Sequence, residues 1–415
     1  MAQARRVVVS GLGLGSPFGD DPGQCFDALL AGRSAVARRT VGEGAHSTTI
    51  ASAACDAFDG AARFGRPRAN AMDRNAQLAL ASATAAWSDA GLDDLADARR
   101  EQTPLFWGTG AGGAASVERG YTDLFVKGKP RVSPLSVVLG MHNAAAAHIA
   151  LELRLGGAAV TYSVACASSA IAIGEALLRL RSGACDIALA GGSEAALPYG
   201  PVKAWQSLQV LAEPDEGEDC ANACAPFDRA RRGLVLGEGA AALVLEDREH
   251  ARARGVRIYA ELAGFGCSSD HQHLTSPHAP GQVRAMNAAL ADAGVAANQV
   301  DYVNAHGTGT IDGDATEISA LLEVFEPHAS KVAVSSTKSM HGHLMGAAGA
   351  LEALVTAMSV HRQALPPTAS LRQLAPSCVG VDHVRIARSA PHARAALSNS
   401  FAFGGTNAVL VFRPA

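Results

Sequence analysis

The sequence predicts an α/β protein whose sheet is covered by helices on both faces. Three observations carry that expectation. Short apolar, β-branched runs alternate with alanine-rich helical stretches along all 415 residues. Runs such as Ile187-Ala188-Leu189-Ala190 lack the polar alternation of a strand with one wet face. With 48% hydrophobic and only 18% charged residues, much of the chain must lie inside.

In chain order, the strand candidates begin with the valine run of Arg6 to Ser10, then Leu105 to Gly108, Ala158 to Val164, Asp186 to Ala190 and Ala241 to Glu246. A second set comes at Ile258 to Gly264, Asp301 to Ala305, Val332 to Ser335, Ala396 to Ser400 and Ala408 to Phe412. Helical stretches are expected over Asp73 to Ala90, Ala167 to Arg181, Gly281 to Ala293, Asp314 to Phe325 and Ala347 to Arg362. No fixed short repeat points to a solenoid or propeller. A coarser doubling divides the chain into halves, 1–252 and 253–415, read as one rigid unit, with the acidic segment 213–222 as a surface excursion.

Charge excludes several functions. With 35 basic and 39 acidic residues the net charge is −4, which gives no field for nucleic acid or an anionic membrane. The N-terminal apolar run is too short and glycine-broken for a secretory signal. Two long uncharged stretches, between Arg131 and Glu152 and over Gly156 to Gly174, contain Pro134, His142, Asn143 and Thr161, and read as buried core rather than membrane spans. The eight cysteines include no C-x-x-C pair, so free thiols in a reducing, cytoplasmic setting are expected.

Four segments could carry chemistry. In Tyr162-Ser163-Val164-Ala165-Cys166-Ala167-Ser168-Ser169 a strand ends, a cysteine sits at the turn, and a helix begins. A thiol there meets the positive end of the helix dipole, which lowers its pKa and favours the nucleophilic thiolate; a small cysteine filling a corner of the core is the alternative. Asn304-Ala305-His306-Gly307-Thr308-Gly309-Thr310 brings a histidine off a second strand, and Ser336-Thr337-Lys338-Ser339-Met340-His341-Gly342-His343 brings a lysine and two more off a third. Asn399-Ser400-Phe401-Ala402-Phe403-Gly404-Gly405-Thr406-Asn407 is a glycine turn able to present backbone N–H groups to a ligand. Metal ligation by Cys166, His306 and His343 is not expected, because zinc sites show paired ligands at short spacing. Neither Gly307-Thr308-Gly309 nor Gly11-Leu12-Gly13-Leu14-Gly15 has the spacing of a nucleotide loop. Covalent catalysis by a cysteine, with histidines facing charge on a carbonyl oxygen or enolate, fits better.

Together these segments, with Pro226-Phe227-Asp228-Arg229 and Leu236-Gly237-Glu238-Gly239-Ala240, resemble the β-ketoacyl-acyl-carrier-protein synthases, most of all the type II elongating enzymes. The resemblance spans essentially the whole chain. It implies a thiolase-like fold of two similar α/β halves in a five-layered αβαβα core, the nucleophile in 1–252 and the histidines and gating loop in 253–415. It further implies an acyltransferase that condenses malonyl-acyl-carrier protein with an acyl chain held on Cys166, in fatty acid, polyene or polyketide elongation. His306 and His343 would stabilise the enolate, and the backbone N–H groups of Cys166 and Phe403 would form the oxyanion hole. Phe403 would gate the site, while Lys338 with Glu352 as its buried partner would order it. Thr308, Thr310 and Thr275 would hold the phosphopantetheine arm of the carrier; no intrinsic cofactor or metal is implied. The partners would be acyl carrier protein and a second subunit, in a homodimer or in a heterodimer with a chain-length-factor-like chain. Lys127, Lys129, Arg131, Lys203 and Arg68 are candidates for the carrier's basic rim.

Departures from the family pattern bear on substrate. Ala402 replaces a usual glycine in the gating loop, and Ala111 stands where long-chain enzymes carry a bulkier acyl-pocket residue. His341 replaces a usual threonine, and Ile311-Asp312 a usual Thr-Pro. Two other readings compete: a silent chain-length-factor-like subunit, which would lack the nucleophile, and a thiolase acting on coenzyme A esters, which would carry a second cysteine near 401–403.

Overall fold

Eleven strands form one continuous sheet in the computed structural model, which describes residues 5–213, 217, 219–391 and 393–415. The first four residues lie outside that range, as does most of the acidic part of 213–222, and with it the expected surface excursion. The strands are β1 (Val7–Gly15), β2 (Leu105–Gly108), β3 (Ala159–Tyr162), β4 (Ile187–Glu194), β5 (Gly239–Asp247) and β6 (Ala260–Ser269). The remaining five are β7 (Tyr302–Asn304), β8 (Ala333–Ser335), β9 (Asp382–His383), β10 (Ala396–Phe401) and β11 (Thr406–Arg413). Their order is β9-β8-β7-β10-β11-β6-β1-β5-β4-β2-β3. At either end the pairing is parallel, as in β4-β2-β3 and β8-β7-β10. Toward the middle it turns antiparallel, and the two ends meet where β1 and β6 pair Val7 with Leu262, Val8 with Glu261 and Val9 with Ala260.

Helices complete five layers, αβαβα, of the thiolase-like type. On the outside of the first half lie α1 (Arg74–Asp89) and α2 (Ala144–Leu153). In the middle layer α3 (Ser168–Arg181) touches β2 and β4 on one side and β6 and β11 on the other. Its neighbour α7 (Ala348–Arg362) contacts both β5 and β10. On the outside of the second half lie α5 (Ala279–Ala293) and α6 (Ile311–Phe325), while α4 (Tyr199–Ser207) lies over the site entrance. Residues 348 to 360 of α7 are buried on every side, the signature of an interior helix. The run of buried residues along β4 likewise shows a strand covered on both faces.

Several elements differ from the sequence expectation for visible reasons. β1 continues through Gly11, Gly13 and Gly15, because these glycines are where α1 lies against the strand: a Cβ on Gly13 would fall 1.9 Å from the carbonyl oxygen of Ser82. A hairpin of Ala37–Glu43 and His46–Ala53 is absent from the expected strands because its exposed, polar residues give little apolar alternation. Helix α2 is hidden within the long uncharged stretch that reads only as core.

The layers set up the site. The segments bearing Cys166, His306, Lys338 and Phe403 leave the carboxyl ends of β3, β7, β8 and β10, and all converge at the N-terminal ends of α3 and α7.

Candidate active site

Cys166 stands on a strained turn. Ala165, just before it, has φ of 47°, a conformation costly for a residue with a Cβ and often kept only where surroundings enforce it. Ser168 supplies the enforcement: its hydroxyl donates to the Ala165 carbonyl at 2.6 Å and accepts from the Val164 N–H at 2.8 Å. The turn thereby presents Sγ at the start of α3.

Around that sulfur the structure gathers the two histidines. His343 Nε2 is 3.1 Å from Sγ, and the rings of His306 and His343 meet edge to face at 5.3 Å. The Met345 N–H donates to His343 Nδ1 at 3.2 Å, so in the neutral ring the proton sits on Nε2, aimed at the sulfur. The backbone N–H of Phe403 also donates to Sγ. Lys338 and Glu352 form a fully buried ion pair behind the histidines.

Burial controls the protonation states. It holds both His306 and His343 well below the ordinary imidazole range, and the Lys338 ammonium pushes further in that direction. Both are therefore neutral N–H donors at neutral pH. Burial also raises Glu352 to about 7, against the pull of Lys338. For Cys166 the expected lowering is reversed: burial pushes the thiol up to about 12, with Lys338 and the Phe403 N–H pulling the other way. The resting group is a thiol, because a helix end cannot outweigh complete desolvation here.

Buried carboxylates that look like ordinary acids in the sequence hold the loops. Glu317 accepts from the backbone N–H groups of His306 and Gly307 at 2.9 and 2.7 Å and from Asn399 Nδ2 at 3.0 Å. Asp314 accepts from Phe227 and Gly309 N–H groups, with Arg231 at 3.6 Å. Glu194 accepts from Gly110, Ala111 and Gly346 N–H groups at 2.6, 3.0 and 2.9 Å, joining the loop after β2 to the loop after His343. Nothing in the local sequence marks these three, since their partners are distant in the chain or are backbone atoms.

A cavity of about 370 Å³ leads from solvent to Cys166, His306 and His343, lined also by Thr275, Thr308, Thr310, Ala402 and Phe403. Thr308 and Thr310 share a hydroxyl contact of 3.0 Å, and Thr275 lies at the exposed rim against His273. Phe403 stacks on Trp205 of α4 at 5.8 Å, a partner unsuspected from sequence. Ala111 is not brought to this cavity; it is half-buried beside it, with its N–H committed to Glu194. Among the rim candidates, Lys127 and Lys129 pair with Asp123 and Arg68 with Glu152, while Arg131 and Lys203 are exposed.

Sγ and one nitrogen of each histidine lie within 4.8 Å of one another, a donor set zinc would accept. The surroundings do not fit a metal. A ligating histidine ordinarily donates its second N–H to an acceptor, whereas His343 Nδ1 itself accepts a hydrogen bond and His306 Nδ1 has no partner among the described residues. The arrangement suits a nucleophilic sulfur facing two neutral N–H donors, which can share a developing oxyanion.

Comparison with known proteins points the same way. The family model "Beta-ketoacyl synthase, N-terminal domain" matches residues 4–251, and "Beta-ketoacyl synthase, C-terminal domain" matches 259–372. The chain is 40% identical to nodulation protein E of Rhizobium sp. (strain N33), covering 99% of both chains. It is 38% identical to 3-oxoacyl-[acyl-carrier-protein] synthase 2 of Vibrio cholerae, again over 99% of each. Among solved structures, the ishigamide ketosynthase/chain length factor aligns over 100% of both chains with a TM-score of 0.88 and 34% identity.

Proposed function

The chain belongs to the β-ketoacyl synthase family, and from that premise we propose that Cys166, His306 and His343 carry out its condensation on acyl-carrier-protein thioesters. The protein is an acyltransferase that elongates chains in fatty acid or polyketide synthesis. The observation that carries the residue assignment is the sulfur itself, 3.1 Å from His343 Nε2 and hydrogen-bonded to the Phe403 N–H.

In the first half-reaction the thiol of Cys166 attacks the acyl thioester of the carrier. The new C–S bond forms as the old one breaks, and the thiol proton leaves with the pantetheine sulfur. The backbone N–H groups of Cys166 and Phe403 hold the oxyanion. In the second, malonyl thioester loses carbon dioxide, and the electron pair of the broken C–C bond becomes an enolate whose oxygen faces the N–H groups of His306 and His343. Its carbon attacks the Cys166 thioester, the sulfur departs, and a proton from solvent restores the thiol. Each oxyanion donor is worth about 3 to 4 kcal/mol. Thr308 and Thr310, and Thr275 at the rim, suit the polar part of the phosphopantetheine arm.

The competing readings fare worse. A silent partner subunit has no use for an intact Cys166 with both histidines on it. A thiolase would need a second cysteine at the site, and the cavity has Phe401, Ala402 and Phe403 instead. We place the chain in the cytoplasm with its carrier: all eight cysteines are free, and among the described residues no helix is long and apolar enough to cross a membrane. The sheet edge at β3 suits a second subunit, either another copy or a chain-length-factor-like relative.

The test uses two variants and mass spectrometry over a panel of acyl-carrier thioesters. Cys166→Ala is expected to form no acyl-enzyme and no condensation product, and retained condensation would overturn the nucleophile. Cys166→Gln keeps the histidines and is expected to release carbon dioxide from malonyl carrier; silence there would remove His306 and His343 from the enolate step.

A further inference from the structure

His341 touches neither the cavity nor the sulfur, yet it stands where the resembled family usually carries threonine. It closes a single turn of helix, Lys338–His341, which begins at the lysine of the buried ion pair. Its side chain is 1% exposed and fully engaged. The Thr337 hydroxyl lies 3.0 Å from Nε2, and Nδ1 lies 2.8 Å from the Gly342 carbonyl oxygen. A carbonyl only accepts, so Nδ1 carries the proton and Nε2 accepts from Thr337. Burial beside Lys338 lowers this ring to about 3, which keeps it in that neutral form.

The contact matters because it holds the peptide that carries His343. The Gly342 carbonyl belongs to the same peptide as the His343 N–H, which donates to the Val235 carbonyl at 2.7 Å. Gly342 has φ of 67°, a freedom that leaves this peptide without steric guidance of its own. The peptide is thus gripped on one side by Val235 and on the other by His341. From Thr337, the residue before Lys338, to Gly342, the residue before His343, the imidazole makes an unbroken hydrogen-bonded bridge. A threonine hydroxyl is too short to span both ends.

We infer that His341 is a positioning residue, whose imidazole ties the Lys338 end of the turn to the Gly342–His343 peptide and so aims His343 Nε2–H at the Cys166 sulfur. The inference deepens the proposed condensation and rests on that reading for its consequence in turnover. Its geometric core does not, because it concerns how Cys166 and His343 face each other, within reach of Lys338, His306, Glu194 and Glu352.

The experiment compares His341→Thr and His341→Gln with the parent enzyme, by condensation kinetics and by the rate of Cys166 alkylation with iodoacetamide. Threonine breaks the bridge; glutamine has one donor and one acceptor and can reach both ends. His341→Thr is expected to lower kcat about 10- to 100-fold with KM within about twofold, the scale of a small misalignment, and to slow alkylation in parallel. His341→Gln is expected to recover most of both. Parent-like kcat and alkylation in His341→Thr overturn the inference, and so does equal damage in both variants, which would mean packing alone. Should His341→Thr not fold, Thr337→Val removes only the donor to Nε2 and carries the same test, with unchanged alkylation overturning it. Alkylation needs no carrier, so an enzyme that condenses nothing but obeys the alkylation pattern refutes the function while leaving the positioning intact.

Discussion

A thiol raised to about 12 by burial makes a specific claim about Cys166 chemistry. Below that pKa the thiolate fraction rises about tenfold per pH unit, so alkylation of the resting enzyme is expected to keep accelerating from pH 7 to 10. A plateau near pH 7 would show that the helix end and Lys338 outweigh desolvation. The histidines add a second check at this scale. Since burial lowers both far below the ordinary range, each is already neutral at pH 6, and malonyl decarboxylation should show no histidine-like loss between pH 6 and 8. His306→Ala should reduce it about 100- to 1000-fold at either pH. Sequence speaks clearly here for Cys166, His306 and His343, which sit on short loops between a strand and a helix, those of the histidines rich in glycine. It is silent about Glu194, Glu317 and Trp205, because a carboxylate that binds distant backbone N–H groups looks like any helix or strand acid until the chain is folded.

Elements are legible to the degree that burial writes a pattern into them. β2 has the limits expected of it, and α3 and α7 differ from expectation by a single residue at their starts, since a long alanine-rich stretch with most of its residues buried admits little else. β1 departs from expectation at its glycines, which read as breakers yet serve as the surface on which α1 rests. That correction predicts a large effect from a small change. In Gly13→Ala the added methyl meets the Ser82 carbonyl and the Ala86 amide, both backbone atoms of α1 that cannot swing aside. The strand or the helix must shift, at a cost of about 1 to 3 kcal/mol or more, read as a lower urea midpoint. Stability equal to the parent would mean that α1 is not seated on this strand.

At the level of the whole molecule, the low charge of the chain has two outlets. One is the middle layer, where α3 and α7 are enclosed between the two ends of the sheet. The other lies at the far end of the first half, where β3 is a sheet edge paired among the described residues only with β2 and its four residues are exposed or half-buried. In the same half, the packed segments Ala114–Val126 and Ser136–Gly140 carry a second exposed apolar ground, with Phe125 81% exposed and Val137 76%, joined by Tyr121, Val126 and Val138. Unpaired edges and exposed apolar patches are the features by which chains associate. A second copy, or a chain-length-factor-like relative, pairing along β3 would complete the edge. Val160→Lys places a charge on that edge at a residue outside the lining of the Cys166 cavity. The parent is expected to sediment as a dimer at micromolar concentration, and this variant combined with Phe125→Glu as a monomer. A double variant that still sediments as a dimer would place the partner on another face. If it becomes monomeric and also loses condensation, the intact edge is part of what makes each site competent.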